Sequence, residues 1–284
     1  MPALLALVVV TAVWGVTFVQ VKDALELYPL FAFLAIRFAI ASLTLAPVAG
    51  RRIGRAEWKI GSVLGLLLAL GYALQTAGLE RTTVSSTGFV TGLYVVFTPL
   101  FAFALFRIGA GRWVWAGVVL SLAGLGLLTG VGVGDPVGDL LVLAGSAAYS
   151  LQIAVLERYA RLVDALAFTL VEMLTACAAF GAIAIALGEI EVPRGWTVWG
   201  ALLVTGVFAS ALGYLVQTWA QRRLSAARTA LAFTMEPVWT AIFGYWLAGD
   251  RLGTVGWIGA ALIMAGIVVA EPAAAETLRR LVRR

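Results

Sequence analysis

Ten stretches of apolar residues make up most of this chain, and each is long enough to cross a lipid bilayer as a helix. A bilayer core requires about 20 helical residues, and short connections rich in Gly, Pro and charge separate the stretches. With 12% charged residues, the chain lies far from soluble domains, where the share is about 25%. We therefore predict an all-α polytopic membrane protein with ten transmembrane helices. The predicted spans are residues 3–21, 30–48, 60–79, 84–106, 113–130, 138–156, 165–188, 197–220, 229–248 and 253–270.

One long segment occurs twice in the sequence. Residues 70–124 match residues 212–266 at 17 of 55 positions without a gap, and both copies contain the triplet Leu-Gly-Tyr. At an offset of 135 residues, the first two spans match the sixth and seventh, with Trp14 opposite Tyr149. The chain is therefore predicted to be a duplication. Residues 1–134 form the first five-helix repeat, residues 135–271 the second, and residues 272–284 a basic cytoplasmic tail.

The positions of Lys and Arg predict the orientation. The connections after spans 2, 4, 6 and 8, together with the tail, hold 15 of the 20 Lys and Arg residues. These residues favour the cytoplasmic side, so both termini are predicted to be cytoplasmic. We expect the tail to touch anionic lipid, with a specific partner as the alternative. Because five spans is an odd number, the second repeat lies inverted relative to the first, a recurrent plan of secondary transporters.

Residues that many chemistries require are scarce. The chain has one cysteine, Cys177, and no histidine, which excludes an intrachain disulfide and metal sites built on these residues. No G-x-x-x-x-G-K-[ST] pattern for ATP occurs. We therefore expect no metal, no cofactor and no enzymatic activity, with a metal-free embedded enzyme as an alternative. The pair of acids that most resembles a metal site is Asp135 and Asp139. We interpret both residues as part of a solvated loop. The net charge of +5 is interpreted as cytoplasmic loops rather than as a nucleic-acid site.

Polar and aromatic residues recur at intervals of three or four along several spans, which places them on one face of each helix. These faces form three pairs related by the repeat: spans 1 and 6, 3 and 8, and 4 and 9. In hydrocarbon, such side chains need a partner or a water-lined cavity, so we predict that the faces surround a central cavity. The predicted substrate-binding residues are Trp14, Thr17, Tyr72, Gln75, Tyr94, Tyr149, Gln152, Tyr214, Gln217 and Trp239.

The same residues also have structural interpretations. Ser and Thr hydroxyls bond to their own helix backbone, and polar side chains join helices at a gain of about 0.6 kcal/mol each. Tryptophans near span ends anchor the chain at the membrane surface. For the deeper aromatic residues we keep two interpretations, helix packing and cavity lining. The predicted anchors are Trp113, Trp115, Trp196, Trp199 and Trp257.

Three ionisable residues lie well within the spans: Arg37, Glu172 and Glu236. A charge at mid-span costs about 2.5–3.5 kcal/mol. In the inverted arrangement Arg37 and Glu172 lie at opposite depths, so we predict that each reaches its nearer headgroup layer or a neighbouring helix instead of pairing. Glu236 precedes Pro237, which removes a backbone hydrogen bond and kinks a helix, as Pro99 does in span 4. Glu236 is the candidate for coupling or substrate binding, with a protonated side chain bonded to another helix as the alternative.

Small residues are interpreted as helix contacts, because glycine lets backbones approach closely. The glycines in question are Gly61, Gly65, Gly88, Gly92, Gly117, Gly124, Gly259 and Gly266.

Several motifs carry a resemblance to a known family. They are Trp14-Gly15-Val16-Thr17-Phe18, Arg37-Phe38, Pro99, Glu236-Pro237, and Gly249-Asp250-Arg251 leading to Gly259 and Gly266. With these motifs the chain resembles the drug/metabolite transporter superfamily, in its EamA-like ten-span branch, and within it the amino-acid exporters of the YddG type. Two departures are an absence of acid in residues 107–112 and Asp250 where the family more often has Glu.

The resemblance implies a secondary transporter of the bacterial inner membrane, a monomer or homodimer, that exports small molecules by alternating access. A cavity of rings, amides and hydroxyls suits a neutral or zwitterionic substrate, so aromatic and other large neutral amino acids are expected. Span 1 has no acid of the kind that small multidrug exporters of this superfamily use for cations. The alternatives are another metabolite or drug class, a passive channel, or a membrane-embedded enzyme.

Overall fold

The computed structural model describes residues 2–82, 84–129, 135–243 and 253–270, and every regular element within these ranges is helical. The predictions made for the tail and for Gly249-Asp250-Arg251 lie outside the described residues. A 3-10 turn, Gly50–Arg52, follows the second helix. The helices are α1 (Pro2–Leu25), α2 (Leu30–Ala49), α3 (Arg55–Arg81), α4 (Val84–Gly92), α5 (Tyr94–Phe106), α6 (Arg112–Thr129), α7 (Pro136–Tyr159), α8 (Ala165–Leu187), α9 (Gly195–Leu203), α10 (Gly213–Gln221), α11 (Ala226–Phe233), α12 (Met235–Phe243) and α13 (Thr254–Val269), with a π-helical segment, Val204–Leu212, between α9 and α10.

Seven of the described helical segments are long and apolar enough to cross a membrane. Two shorter apolar helices cover Arg112–Leu127 and Thr254–Val269. The prediction of an all-helical polytopic membrane protein is therefore confirmed, whereas the count of ten spans stays a prediction. The seven segments are Pro2–Leu25, Leu30–Ala49, Arg55–Arg81, Ser86–Phe106, Pro136–Tyr159, Ala165–Leu187 and Gly195–Gln221.

The fourth and ninth predicted spans are each broken into two helices. The ninth breaks at Thr234, because Pro237 cannot donate a backbone hydrogen bond to the carbonyl of Phe233 and its ring clashes with that carbonyl. The fourth breaks at Leu93 instead, and Pro99 lies inside α5. The carbonyl of Thr91, just before that break, accepts a hydrogen bond from the Ser146 hydroxyl of α7 at 2.9 Å. A neighbouring helix therefore takes up backbone bonding at the fourth break, whereas the kink expected at Pro99 stays a prediction.

The eighth predicted span is not a uniform α-helix. Nine residues, Val204–Leu212, form a π-helical segment between α9 and α10. A π-helical turn is frequently found at a functional site. This one carries Ala209 and Ser210, which bond to side chains of α1 and α2 at the centre of the protein.

Glycines bring α6 and α13 into close contact. A Cβ atom added at Gly117 would lie 2.5 Å from the carbonyl oxygen of Gly266, and one added at Gly124 would lie 2.6 Å from that of Gly259. These distances are too short for any side chain, so the glycines let the backbones approach. Gly88 differs, because an added Cβ there would meet only Pro237, at an ordinary distance of 3.9 Å. Other close pairs are α2 with α8, α3 with both α7 and α8, and α1 with α12.

Asp139 is not in a solvated loop, contrary to the sequence interpretation. Asp135 caps the N-terminus of α7 by accepting hydrogen bonds from two backbone N–H groups. Asp139 lies inside α7, half-buried, and its carboxylate accepts hydrogen bonds from the hydroxyls of Thr82 at 2.8 Å and Ser86 at 2.6 Å. The Asp139 carboxylate therefore joins the start of α7 to Thr82, which follows α3, and to Ser86 in α4. Buried hydroxyls normally have a hydrogen-bond partner, and this carboxylate is a partner for both.

Candidate functional site

A cavity lies at the centre of the protein and is lined by side chains from both predicted repeats. The lining continues along α1 to Val21 and along α3 to Leu79, near the C-terminal ends of both helices. Its walls combine aromatic rings, amides, hydroxyls and two groups of opposite charge. The lining residues are Trp14, Thr17, Phe18, Val21, Arg37, Tyr72, Gln75, Thr76, Leu79, Thr91, Tyr94, Tyr149, Gln152, Ile153, Tyr214, Gln217, Phe233 and Glu236.

Two tyrosines that the repeat makes equivalent meet in the middle of the cavity. The hydroxyl of Tyr214 donates a hydrogen bond to that of Tyr72 at 3.2 Å. Arg37 from α2 also donates to the Tyr72 hydroxyl through Nη2 at 2.9 Å, and its Nε donates to the Ser210 hydroxyl at 2.8 Å. The guanidinium carbon lies 4.5 Å from the centre of the Tyr72 ring, a cation–π distance. A single charged group therefore links α2, α3 and the π-helical segment.

The amide of Gln75 connects three helices at one wall. Its Nε2 donates to the Thr91 hydroxyl at 2.9 Å, and its Oε1 accepts from the Tyr149 hydroxyl at 3.1 Å. The Tyr72 and Tyr149 rings meet edge to face, with 5.5 Å between centroids. These bonds fix the orientation of the side chains, because each buried polar atom would lose free energy without its partner.

The glycine of each Leu-Gly-Tyr triplet makes room for an aromatic ring of the other predicted repeat. A Cβ atom at Gly71 would lie 2.6 Å from Cε1 of Tyr149. One at Gly213 would lie 3.0 Å from Nε1 of Trp14, whose indole donates a hydrogen bond to the Ala209 carbonyl at 2.8 Å. Trp14 and Tyr149 are themselves equivalent in the sequence repeat, so the two contacts correspond to each other.

A chain of amides lies at one end of the cavity. The Gln217 amide donates to Gln152 Oε1 at 2.9 Å and to Gln221 Oε1 at 3.0 Å. Gln221 donates to the carbonyl of Ile153 at 2.9 Å, which joins α10 to α7. Gln152 in turn donates to Glu172 Oε1 at 2.9 Å. Side-chain hydrogen bonds therefore join α7, α8 and α10 at this end.

The three intramembrane charged residues occupy different environments. Glu172 is 0% exposed and lies behind Gln152, outside the cavity lining, and its second oxygen has no hydrogen-bond partner among the described residues. Arg37 is only 4% exposed. The headgroup alternative is therefore wrong for both, and each bonds to a neighbouring helix. Glu236 lies in the cavity wall beside the Tyr94 hydroxyl, which is buried and makes no hydrogen bond of ordinary geometry within the described part of the chain.

The cavity brings together all but one of the predicted substrate-binding residues. Trp239 lies outside it: its ring stacks on Phe243, and its Cβ atom packs against the backbone of Gly15. Trp239 is therefore not among the described lining residues, and its role in substrate binding stays a prediction. Thr17 borders the cavity, but its hydroxyl donates to the carbonyl of Trp14 within its own helix.

Nine of the eighteen lining residues were not in the predicted substrate-binding set, and Phe233 and Arg37 are two of them. Phe233 lies on the polar face of span 9, where its position between Thr229 and Glu236 is the signal that indicates it. Arg37 was assigned to a headgroup or a helix contact, and its single position in an apolar span gives no sign of the cavity. Its place depends on contacts with the third and eighth predicted spans, which no local pattern specifies.

These features define a class: a helical membrane protein whose central, aromatic and polar cavity is built from several broken helices. The sequence model of the EamA-like transporter family matches the chain twice, over residues 1–130 and 136–270. The chain belongs to the EamA-like transporter family, and it is a multi-pass membrane transporter.

Similar proteins agree with this assignment. An uncharacterized transporter of Archaeoglobus fulgidus is 31% identical over 93% of this chain and 84% of its own length. The uncharacterized inner membrane transporter YedA of Escherichia coli strain K12 is 25% identical over 95% of this chain and 90% of its own. A protein of known crystal structure shares the fold with a TM-score of 0.80, at 20% identity and with 97% and 98% of the two chains covered. As a membrane transporter the protein acts on a small-molecule substrate within the lipid bilayer.

Proposed function

We propose that the protein is an alternating-access exporter of small neutral or zwitterionic metabolites, foremost aromatic and other large neutral amino acids. The observation that carries this proposal is the central cavity, in which aromatic rings, amides and hydroxyls from both halves of the chain face one space. Such a lining buries an apolar side chain against rings and holds polar groups by hydrogen bonds.

The proposed architecture is ten spans in two inverted five-helix repeats, residues 1–134 and 135–271, with both termini cytoplasmic. Three observations support the repeat. The family model matches each half, Tyr72 and Tyr214 meet at equivalent positions, and Gly71 and Gly213 contact equivalent rings. Two similar halves of opposite sense can exchange conformations and open a central site to either side.

The state of the cavity supports alternation. Val21 and Leu79 border the cavity near the ends of their helices. Their equivalents in the second half, Leu156 and Gln221, do not line the cavity, and Gln221 is hydrogen-bonded to the α7 backbone. The lining therefore extends further towards one end than towards the corresponding end, and we interpret this asymmetry as one of the two states of a carrier. We expect the reverse arrangement in the other state.

Flux through purified protein in liposomes tests the proposal. Labelled phenylalanine is the substrate, and unlabelled amino acids, nucleosides and cationic dyes compete for its flux. We expect saturable phenylalanine flux that accelerates when phenylalanine is present on the opposite side, with competition by large neutral amino acids. Linear flux without exchange stimulation would indicate a channel. Competition by nucleosides or dyes alone would assign another substrate class.

A further inference from the structure

Arg37 is a buried cation with unused hydrogen-bond donors that faces the cavity. The guanidinium group has five N–H donors, and its described bonds use one on Nε and one on Nη2. No carboxylate lies within 4.0 Å of this guanidinium among the described residues. A buried charge normally has a partner, because its desolvation is otherwise uncompensated. The free donors on Arg37 therefore point to an anionic group that arrives with the substrate.

The Tyr72 hydroxyl lies beside those donors. It accepts hydrogen bonds from Arg37 and from Tyr214, so its own proton has no acceptor within the described part of the chain. A planar carboxylate matches this arrangement, because a guanidinium edge binds two oxygens and a neighbouring hydroxyl donates a further bond.

A single acid faces the same cavity. Glu236, the acid among the described lining residues, does not form an ion pair with Arg37. The described lining therefore contains one basic and one acidic side chain, whose charged atoms lie further apart than the 4.0 Å of a direct salt bridge. Two separated opposite charges match a ligand that carries both charges itself.

We propose that the cavity recognises the α-amino-acid zwitterion, with the substrate carboxylate on Arg37 and the Tyr72 hydroxyl, and the substrate ammonium on Glu236. This inference rests on the proposed transport function and defines its substrate class. Aromatic rings that line the same cavity accept the substrate side chain: Trp14 and Phe233 lie 4.9 Å apart between centroids, and Tyr94 meets Phe233 edge to face at 6.1 Å. When Arg37 and Glu236 are both ionised, their charges cancel and match a ligand whose own charges cancel.

Three probes of the same size test the assignment: phenylalanine as the zwitterion, phenethylamine as the cation and 3-phenylpropionate as the anion. Wild-type protein and the variants Arg37→Gln and Glu236→Gln are purified, and binding and liposome flux are measured for each probe. Arg55→Gln and Glu26→Gln are matched controls, since both side chains are exposed and lie outside the cavity lining. Thermal unfolding of every variant reports whether the fold is kept.

We expect each cavity variant to lose phenylalanine affinity by at least about 30-fold, the effect of removing one partner of a buried charged pair. The selectivity should change in opposite directions. Arg37→Gln leaves the acid alone and should bind phenethylamine best, whereas Glu236→Gln leaves the cation alone and should bind 3-phenylpropionate best. A misfolded protein cannot produce this reciprocal change, so the result is specific to the two charges.

The outcomes separate this inference from the transport function. If wild-type protein transports phenylalanine and both variants keep its affinity within threefold with unchanged probe selectivity, the zwitterion site is refuted and the transport function stands. If only one variant changes selectivity, the two-charge site is refuted, because it requires both groups. If wild-type protein neither binds nor transports phenylalanine while the control variants are folded, the proposed substrate class is refuted and the site with it.

Discussion

Replacing Gly71 by alanine places a methyl group where the Tyr149 ring now lies. The new Cβ atom would be 2.6 Å from Cε1, 2.7 Å from Cδ1 and 3.0 Å from Cζ of that ring. Carbon atoms in contact normally lie about 3.5–4.0 Å apart, so the ring has to retreat by about 1 Å. Its hydroxyl is 3.1 Å from Gln75 Oε1, and this hydrogen bond does not survive such a shift.

The expected cost follows from three contributions. Forcing an extra methyl group into a packed interior costs about 1–3 kcal/mol, and a lost hydrogen bond costs about 1 kcal/mol. Alanine has a higher intrinsic helix preference than glycine, and this preference offsets about 1 kcal/mol of the cost. We expect Gly71→Ala to lower the free energy of unfolding by about 1–3 kcal/mol and to reduce phenylalanine flux, because Tyr149 is part of the cavity wall.

Unfolding in mixed detergent micelles measures the free energy, and liposome flux measures the transport. Gly126→Ala is the matched control, since an added Cβ at that helical position meets nothing within 4 Å. The control should be neutral or slightly stabilising. A double-mutant cycle isolates the contact, because in a Tyr149→Ala background the Gly71→Ala change should lose most of its cost.

Equal stability of Gly71→Ala and Gly126→Ala, with wild-type flux in both, would refute the close contact between Gly71 and Tyr149. An unchanged penalty in the Tyr149→Ala background would assign the cost to some other neighbour of Gly71. Either result would also remove the Gly71 contact from the support for the repeat.

The other predictions concern helix packing, access and anchoring. Gly117→Ala should destabilise the protein by about 1–3 kcal/mol, because the added Cβ would lie 2.5 Å from a backbone carbonyl oxygen. Unfolding measurements on Gly117→Ala and Gly126→Ala test this prediction, and equal stabilities of the two variants would contradict it. With the native cysteine replaced, Val21→Cys should react with a water-soluble maleimide faster than Leu156→Cys, since only Val21 borders the cavity; equal labelling rates would argue against the asymmetry of the lining. Asp139→Ala should cost about 2–4 kcal/mol, because two hydroxyls lose a charged acceptor, and a thermal midpoint equal to that of wild type would refute the anchor.

The class of protein could be predicted from the sequence because it depends on local properties. Apolar length determines whether a helix can cross a bilayer, and the spacing of polar residues determines which face they share. The triplet containing Tyr72 and its copy containing Tyr214 could therefore be placed together on facing helices before any contact was known. These two hydroxyls do meet.

The sequence did not predict the features that depend on contacts between two helices. Pro237 breaks its own helix through a backbone clash, which the sequence reveals, whereas the break at Leu93 coincides with a hydroxyl from α7 that bonds to the Thr91 carbonyl. Trp239 belongs to the same span as Glu236 yet turns towards Gly15. The spacing of residues within one helix does not show on which side its neighbouring helices lie.

Hydrophobicity and helical periodicity act within one segment, so the order of residues was enough to predict the membrane class, the positions of most helices and most of the polar and aromatic residues of the cavity. The entry of Arg37 into the cavity that Glu236 also lines depends instead on contacts between helices. The physical reason is that a buried charge is positioned by the partners that compensate its desolvation. For Arg37 these partners, Tyr72 and Ser210, lie 35 and 173 residues further along the chain.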